Sequence, residues 1–225
     1  MSDRSKPSEP APPYIICVNL QDQVTCVVGG GKIAARKVES LLEAGAIVHV
    51  IAERLSDDLR AKLAEPGLAG RLFWQEGPYQ RNLPAGARIV IACTDNREVN
   101  REVLEDCRVS RALCNVVDDP ELCDFIVPAI RQVGKVQIAV STGGASPTLA
   151  RELVERFVAQ TDPAVADLAQ LLSEVRLEVQ AQIPDTSRRK ELFATLSGGE
   201  SLRVCKEAGK DGWRRWFQQQ LAQYL

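Results

Sequence analysis

The fold is decided by residues 24–37, which read VTCVVGGGKIAARK. A short apolar run, typical of a buried strand, ends in three glycines, and a helical pattern of apolar residues begins directly after them. The apolar face of this helix is formed by Ile33, Ala34, Val38, Leu41 and Leu42. A strand, a glycine turn and a helix in this order predict the Gly29-x-Gly31-x-x-Ala34 fingerprint of dinucleotide-binding proteins.

Each small residue of the fingerprint has a physical role. Gly29 permits the tight turn, Gly31 lets a pyrophosphate approach the backbone, and Ala34 lets the helix lie close to the strand. The free N–H groups at the start of the helix favour an anion there. A second apolar strand at residues 46–52 completes a βαβ unit, so a nucleotide-binding site is favoured over a purely structural turn.

The composition indicates a globular protein, with 225 residues, 45% of them hydrophobic and 26% charged. The formal net charge of −2 argues against nucleic-acid binding, and no apolar run is long enough to span a bilayer. Seven cysteines without a C-x-x-C pair, and no signal-peptide pattern, indicate reduced thiols in a cytoplasmic protein. His49 is the only histidine, so we expect no metal site.

Strands and helices continue to alternate around this βαβ unit. We expect further strands at residues 14–20, 72–74, 88–93 and 113–117. A helix is expected at residues 58–64, with Ser56 or Asp57 as its cap. Another follows residue 96, with Val99, Val103, Leu104 and Cys107 on its inner face. Parallel sheets bind ligands at the carboxyl ends of their strands. Polar residues follow the predicted strands at 46–52, 88–93 and 113–117.

Glu53 follows the second strand and is the candidate to hold the adenosine ribose hydroxyls, while Arg54 beside it leaves NADP as an option. Thr94, Asp95 and Asn96 follow a later strand, where they cap the next helix, contact a ligand, or do both. The last such group is Asp118-Asp119-Pro120. On residue types alone, a turn is favoured over catalysis there.

The parallel pattern ends near residue 125. Residues 125–132 and 135–141 alternate around Val133-Gly134 and predict a β-hairpin. The next segment, TGGASP at residues 142–147, leads into a helix with Ser146 as its N-cap. Its two glycines form either a second anion-binding nest or only a loop. Everything from residue 162 onward is expected to be helical, with the last two helices at 187–195 and 212–225.

Four segments in a fixed order resemble one protein family: VGGGKIAARK at 28–37, ACTD at 92–95, CNVVDDP at 114–120 and AVSTGGASP at 139–147. Together they resemble the siroheme synthase dehydrogenase module, whose members are precorrin-2 dehydrogenases and, in some cases, also sirohydrochlorin ferrochelatases. The resemblance covers about residues 14–158 closely and the helical tail in general character.

The resemblance implies the α/β fold class: a Rossmann-like parallel sheet domain, a β-hairpin dimerisation segment and a C-terminal helical domain. We expect these at residues 14–123, 124–158 and 159–225, after a disordered arm at 1–13 that its Pro- and Ser-rich composition indicates. The resemblance also implies NAD as cofactor and a homodimer. Larger fused members carry a methyltransferase domain afterward, which is absent from this sequence, so the protein is expected to receive its precorrin-2.

The resemblance further assigns site residues. The catalytic aspartate maps onto Asp118, and the substrate-binding positions map onto Asn115, Ser141, Thr142, Gly143, Gly144 and Ser146. Cofactor contacts map onto Gly29, Gly30, Gly31, Lys32, Ile33, Glu53, Arg54, Thr94 and Asp95. Some relatives have a serine that can be phosphorylated where this chain has Thr142.

The expected function is therefore the NAD-dependent oxidation of precorrin-2 to sirohydrochlorin, both of them tetrapyrroles. The sequence leaves open whether the protein also inserts Fe²⁺ to give siroheme. The alternative is a nucleotide-sensing or tetrapyrrole-carrying protein without catalysis, and the presence of Asp118 favours the enzyme.

Overall fold

The computed structural model describes residues 13–225. The predicted disordered arm at residues 1–13 lies outside the described residues, except for Pro13. The described chain forms two compact units, of which one ends at Val127 and the other begins at Pro128.

The first unit is a parallel sheet with helices on both faces. Its strands are β1 (Val24–Val28), β2 (Ile47–Ala52), β3 (Leu72–Glu76), β4 (Ile89–Ala92) and β5 (Leu113–Val116). Its helices are α1 (Lys32–Glu43), α2 (Asp57–Leu63) and α3 (Arg97–Ser110). The strand order is β3-β2-β1-β4-β5 with every pair parallel, which confirms the Rossmann-like prediction.

The apolar strands of this sheet fill two layers of core. Val27 of β1 packs on the side of α1 and α2, together with Val38 and Leu59. Its neighbours Cys26 and Val28 point to the opposite side and pack with α3 residues such as Val103. A strand that is buried on both faces has no polar alternation, which is why β1, β2 and β4 are apolar apart from Thr25 and His49.

The predicted strand at residues 14–20 is wrong. This segment has no regular secondary structure and pairs with no strand of the described chain. Its apolar side chains are exposed, and Tyr14 reaches 91% exposure, while only Leu20 is buried. An apolar run becomes a strand only where a neighbouring strand accepts its hydrogen bonds, and periodicity alone does not reveal that neighbour.

The second unit begins with the predicted hairpin. Strands β6 (Ala129–Val133) and β7 (Val136–Val140) pair antiparallel. The turn lies at Gly134-Lys135 and residues 125–128 stay outside the strands, so the hairpin is shorter than predicted. Helix α4 (Pro147–Gln160) follows. Ser146 caps it, with its hydroxyl accepting from the Leu149 N–H at 3.2 Å, as predicted.

Three helices complete this unit: α5 (Ala164–Gln182), α6 (Thr186–Leu196) and α7 (Gly199–Ala222). Helix α7 is interrupted at Gly209, where φ is 65°. This helix begins at Gly199, before the predicted start of the last helix at residue 212, within the region expected to be helical. The core contains Trp213, whose indole donates to Ser201 Oγ at 2.7 Å. Within residues 13–225, no helix is long and apolar enough to cross a membrane.

Candidate functional site

A cavity of about 520 Å³ opens at the carboxyl ends of the strands in the first unit. It lies where the strand order reverses, between β1 and β4, which is the position at which open α/β sheets bind ligands. The cavity is lined by every predicted cofactor contact, namely Gly29, Gly30, Gly31, Lys32, Ile33, Glu53, Arg54, Thr94 and Asp95. Residues that are far apart in the sequence therefore meet in one site.

Glycine is required at the three positions of the turn for different structural reasons. Gly29 has a φ of 123°, and a Cβ there would lie 2.6 Å from the Cys93 carbonyl oxygen. A Cβ on Gly30 would overlap with the carbonyl oxygen of Arg54. The glycine turn and the loop after β2 can therefore touch only if residue 30 has no side chain. A Cβ on Gly31 would meet nothing within 4 Å, so this face of the turn is open to a ligand.

The start of α1 suits an anion. Gly31 is the N-cap and offers no side-chain acceptor, and the first turn contains no acidic residue. The first N–H groups of a helix have no partner inside the helix, so here they are available to a pyrophosphate. Ala34 is fully buried, as close contact between helix and strand requires. The arrangement fits a dinucleotide.

The loop after β2 supplies the other wall of the cavity. Glu53 is the first residue beyond the strand, and Glu53 and Arg54 are both exposed. The backbone of Ser56 donates to the Gly30 carbonyl oxygen at 2.7 Å, which holds this loop against the glycine turn. The Ser56 hydroxyl caps α2, which decides between the two predicted candidates, Ser56 and Asp57.

Residues of the loop after β4 cap helix α3 and also line the cavity. The Asn96 side chain caps α3 by accepting from the N–H groups of Glu98 and Val99. The Thr94 hydroxyl donates to Asn100 Oδ1 at 2.7 Å, and Asn100 Nδ2 donates back to the Thr94 carbonyl oxygen at 3.0 Å. Asn100 is buried. It therefore fixes the shape of the loop that lines the cavity.

Sequence reasoning missed several contributors to the cavity. Asn100 is one, because a single asparagine in a helix gives no local signal. Gly77, Pro78 and Tyr79 follow β3 and line the cavity; their position after a parallel strand was a usable signal. The Tyr79 hydroxyl donates to Asp106 Oδ2 at 2.5 Å, so the hydroxyl is already engaged by α3.

Asp118 lies two residues beyond β5, at the same edge of the sheet. Its side chain is exposed, and within residues 13–225 it makes no hydrogen bond or ion pair. Its φ of 63° is in the left-handed region, which costs a non-glycine residue ~1 kcal/mol, although aspartate tolerates it better than most. The turn therefore holds a free carboxylate outward, at a small cost in backbone strain.

The neighbour Asp119 is engaged in holding that turn. Its carboxylate accepts from Arg97 Nη2 at 2.8 Å. Its N–H donates to the Val116 carbonyl oxygen at 3.3 Å, and its own carbonyl oxygen accepts from the Cys123 thiol at 3.4 Å. Asp118 and Asp119 are thus adjacent in sequence but differ in surroundings.

Asn115 is buried within β5. Its Nδ2 donates to the Phe125 carbonyl oxygen at 2.9 Å and fastens the segment that follows the strand. No partner of its Oδ1 occurs in the described chain. Substrate binding by Asn115 stays a prediction.

The loop between β7 and α4 lies in the second unit. Gly143 and Gly144 have φ values of 62° and 87°, so both need glycine. Thr142 Oγ1 donates to the Ser146 carbonyl oxygen at 3.1 Å and accepts from its N–H at 3.0 Å. The Ser141 hydroxyl accepts from the Gly143 N–H. The hydroxyls shape the loop, and substrate binding by these residues stays a prediction.

The cysteines are free thiols in different surroundings. Cys93 lines the cavity, and burial raises the pKa of its thiol to about 12. A thiol with this pKa stays protonated at neutral pH. Among residues 13–225, no group of three or more histidine, cysteine or acidic side chains is arranged to hold a metal ion.

Two family models match consecutive parts of the chain. A model described as NAD(P)-binding matches residues 16–129, about half of the sequence. A second model, described as the central part of a sirohaem biosynthesis protein, matches residues 133–159. The first match covers the five-stranded sheet and its cavity, and the second covers all of β7 and nearly all of α4.

Curated relatives are siroheme synthases. That of Nitrosospira multiformis is 37% identical over 207 residues, covering 92% of this chain and 44% of the relative. That of Methylococcus capsulatus is 41% identical over 184 residues, covering 81% and 38% respectively. The chain thus spans about two-fifths of the length of these relatives.

A solved structure, SirC, precorrin-2 dehydrogenase, is similar in fold, with a TM-score of 0.75 at 24% identity. The similarity covers 94% of this chain and 100% of that one. The glycine turn, the cavity at the switch point and the first family model coincide on the same residues. The chain therefore belongs to the NAD(P)-binding family, and the residues that follow this match are similar to the central segment of sirohaem biosynthesis proteins.

Proposed function

We propose that the chain catalyses the NAD-dependent oxidation of precorrin-2 to sirohydrochlorin in siroheme biosynthesis. The supporting observation is that one edge of one sheet carries both a dinucleotide cavity and, beyond β5, the exposed carboxylate of Asp118. The curated relatives are named siroheme synthases and the solved structure is named a precorrin-2 dehydrogenase, and both names agree with this proposed reaction.

The reaction removes a hydride and a proton from the tetrapyrrole. When bound, NAD⁺ supplies the acceptor for the hydride. Asp118 accepts the proton, because its carboxylate is free of internal partners in the described chain. Most of the acceleration comes from holding the two reactants in contact.

Two ionisable side chains that line the cavity, Cys93 and Tyr79, are poorer proton acceptors than a free carboxylate. Burial raises the pKa of Cys93 to about 12. Burial and the hydrogen bond to Asp106 also raise the pKa of Tyr79. Both groups keep their protons at neutral pH, which supports the assignment of proton transfer to Asp118.

NAD is the proposed cofactor, in preference to NADP. Glu53 follows β2, where an acidic residue holds the ribose hydroxyls and repels a 2′-phosphate. The remaining cofactor contacts are Gly29, Gly30, Gly31, Lys32, Ile33, Arg54, Thr94 and Asp95, all of which line the cavity.

The substrate contacts are proposed at Asn115 and at the loop that contains Ser141, Thr142, Gly143, Gly144 and Ser146. Support comes from the Asn115 Oδ1, which is free within residues 13–225, and from the exposed Gly143 and Gly144. Backbone N–H groups of such an exposed glycine loop can donate to the eight carboxylates of the tetrapyrrole, while the Asn115 Oδ1, an acceptor, can face a pyrrole N–H.

A homodimer is proposed through residues 124–158. Its support is a set of exposed apolar side chains on the hairpin and α4: Ile130, Leu149 and Phe157. Apolar side chains that a monomer leaves exposed in one segment favour a partner surface.

A cytoplasmic location is also proposed. The seven free thiols support it, because thiols stay reduced in that compartment.

Fe²⁺ insertion into sirohydrochlorin, a ferrochelatase (lyase) reaction, is proposed as a second activity. The pyrrole nitrogens must lose their protons as the metal enters, and the exposed carboxylate of Asp118 can receive them. Iron is here a substrate and is held by the macrocycle.

One assay separates the enzyme from a non-catalytic nucleotide sensor or tetrapyrrole carrier. Purified protein is mixed with precorrin-2 and NAD⁺, NADH absorbance is followed, and Fe²⁺ is then added. An enzyme forms NADH at an initial rate that is proportional to the protein concentration. A carrier binds the tetrapyrrole, with a shifted absorbance spectrum, and forms no NADH.

A further inference from the structure

The second unit contains a groove of about 680 Å³ between α5 and α6. One face of each helix forms it, because the lining residues recur at helical spacing, such as 169, 172, 173, 176 and 180 on α5. It shares no lining residue with the nucleotide cavity. Its volume is in the range of about 300–1,000 Å³ that is typical of small-molecule sites.

The charges around this groove have one sign. Arg176, Arg189 and Lys190 line it, and no acidic residue does. Within residues 13–225, Arg176 and Lys190 form no ion pair or hydrogen bond. A concave surface with a single sign of charge attracts a counter-charged ligand.

The acidic residues of α5 all serve the opposite side of the helix. Asp167 pairs with Lys210 of α7 at 2.8 Å, and Glu174 pairs with Arg214 of α7 at 2.9 Å. Glu178 accepts from Gln218 of α7 at 3.1 Å. Helix α5 therefore directs its carboxylates to α7, while its one arginine lines the groove.

One cation of the groove is rigidly held. Arg189 Nη1 donates to the carbonyl oxygens of Ile183 at 2.8 Å and Pro184 at 2.7 Å, and Nη2 donates to Thr186 Oγ1 at 3.0 Å. A guanidinium has five N–H donors, so two remain for a ligand. These carbonyl contacts fix its orientation without neutralising its charge.

The groove also has an apolar floor. Leu172 and Phe193 line it and are partly buried against the helical core. At its edge, Ser173 accepts from the ammonium group of Lys135 at 2.9 Å, which adds a fourth cation. Apolar floor and cationic rim together select an organic anion over an inorganic one.

We propose that the groove between α5 and α6 binds a small organic anion that carries two or more carboxylate or phosphate groups on an apolar or planar body. The anionic groups contact Arg176, Arg189 and Lys190, and the body lies on Leu172 and Phe193. This site is independent of the proposed oxidation, since no residue of the proposed catalytic site lines it.

Calorimetry on the full chain, saturated with NAD⁺, tests this site. The probes are benzene-1,3,5-tricarboxylate, citrate, which lacks a planar body, and inorganic phosphate. We expect the benzene tricarboxylate to bind one per chain, citrate to bind more weakly and phosphate weakest. The double variant Arg176→Gln with Lys190→Gln should weaken the tricarboxylate about tenfold or more.

The matched control is Lys210→Gln with Arg214→Gln, which removes the same charge from paired residues of α7. It should keep the parental affinity. Hydrogen exchange of the unmodified protein should also show slower exchange in α5 and α6 when the tricarboxylate is added. Three results would each overturn the site. They are no binding of the tricarboxylate at millimolar concentration, an equal loss of affinity in the control variant, and slower hydrogen exchange outside α5 and α6.

Discussion

Arg97 and Asp119 join the ends of two neighbouring strands. Arg97 opens the helix after β4, Asp119 belongs to the turn after β5, and their side chains meet at 2.8 Å. Because Asp119 is held in this way, the turn presents only the neighbouring carboxylate, that of Asp118. The two adjacent aspartates therefore differ in backbone conformation and in partners, which supports the proposed assignment of proton transfer to Asp118.

The first prediction concerns Asp118→Asn. Asparagine also tolerates the left-handed backbone of this position, so the melting temperature and NAD⁺ affinity should stay near parental values. Loss of a positioned acid–base group should lower NADH formation from precorrin-2 by about 10²-fold or more. Near-parental activity would remove Asp118 from the mechanism and leave water as the proton acceptor.

Asp119→Ala and Arg97→Ala are the matched controls for that experiment. Each breaks the ion pair at the strand ends but leaves Asp118 in place, and such a partly exposed pair contributes about 0–1 kcal/mol to stability. Activity should fall less than tenfold in either variant. A loss in Asp119→Ala as large as that in Asp118→Asn would contradict the division of roles.

The second prediction separates two glycines of one turn. Gly31→Asp introduces a carboxylate into open space, so folding should be unaffected while NAD⁺ binding is lost through repulsion of the pyrophosphate. Gly30→Ala places a Cβ onto the Arg54 carbonyl and should cost about 1–3 kcal/mol of stability through overpacking. Thermal melts and calorimetry on both variants measure this. Equal NAD⁺ affinity in Gly31→Asp would refute the anion site.

Local patterns in the sequence predicted much of this site. The glycine turn, the Ser56 and Ser146 caps, and the strand ends at Glu53 and Thr94 follow from short-range rules. Contacts that depend on distant segments could not be read in this way. The closeness of Gly30 to Arg54 and the pairing of Arg97 with Asp119 arise only once the sheet has set its strand order.

The same distinction explains the errors in the fold. Residues 14–20 have the composition of a strand, yet no partner strand lies beside them in the described chain. Helix α7 begins at Gly199, before the predicted start of the last helix at residue 212, although glycine is a poor helix former. Buried Ser201 and Cys205 show that tertiary packing stabilises this part of the helix.

The third prediction concerns the choice of dinucleotide. NAD⁺ should bind more tightly than NADP⁺, because Glu53 follows the second strand and lines the cavity, the position at which an acidic residue holds the ribose hydroxyls and repels a 2′-phosphate. Glu53→Gln removes the repulsion and should reduce the preference by about tenfold, measured by calorimetry with both nucleotides. Asp57→Asn, a change of the same charge on α2 outside the cavity, is the control. Tighter NADP⁺ binding by the parent protein would contradict the assignment.

The fourth prediction concerns stability at high pH. Burial raises the pKa of Cys26 from 9.0 to about 12, with the nearby Cys93 adding to the effect. The folded state favours the neutral thiol, so its stabilising contribution is complete below about pH 9 and is lost as the pH rises towards 12. The slope is at most ~1.4 kcal/mol per pH unit for one thiol.

Urea unfolding at several values between pH 7 and pH 11 measures this contribution. Cys26→Ala should lower stability at neutral pH through the small cavity it leaves, and stability should then decrease less steeply above pH 9 than in the parent. Cys17→Ala alters an exposed thiol and should keep the parental slope. Parallel curves for the parent and Cys26→Ala would show that this thiol does not carry the effect.

The last prediction concerns assembly. Phe157 of α4 is 50% exposed and lies beside the hairpin with exposed Ile130, so we expect it in the proposed dimer interface. Phe157→Asp places a charge among apolar side chains there and should convert the dimer to a monomer at micromolar concentration, measured by light scattering. Leu177→Asp changes a side chain of 75% exposure on α5, outside residues 124–158, and should remain dimeric. A parent protein that scatters as an active monomer would refute the dimer, and dissociation of both variants would place the interface beyond this segment.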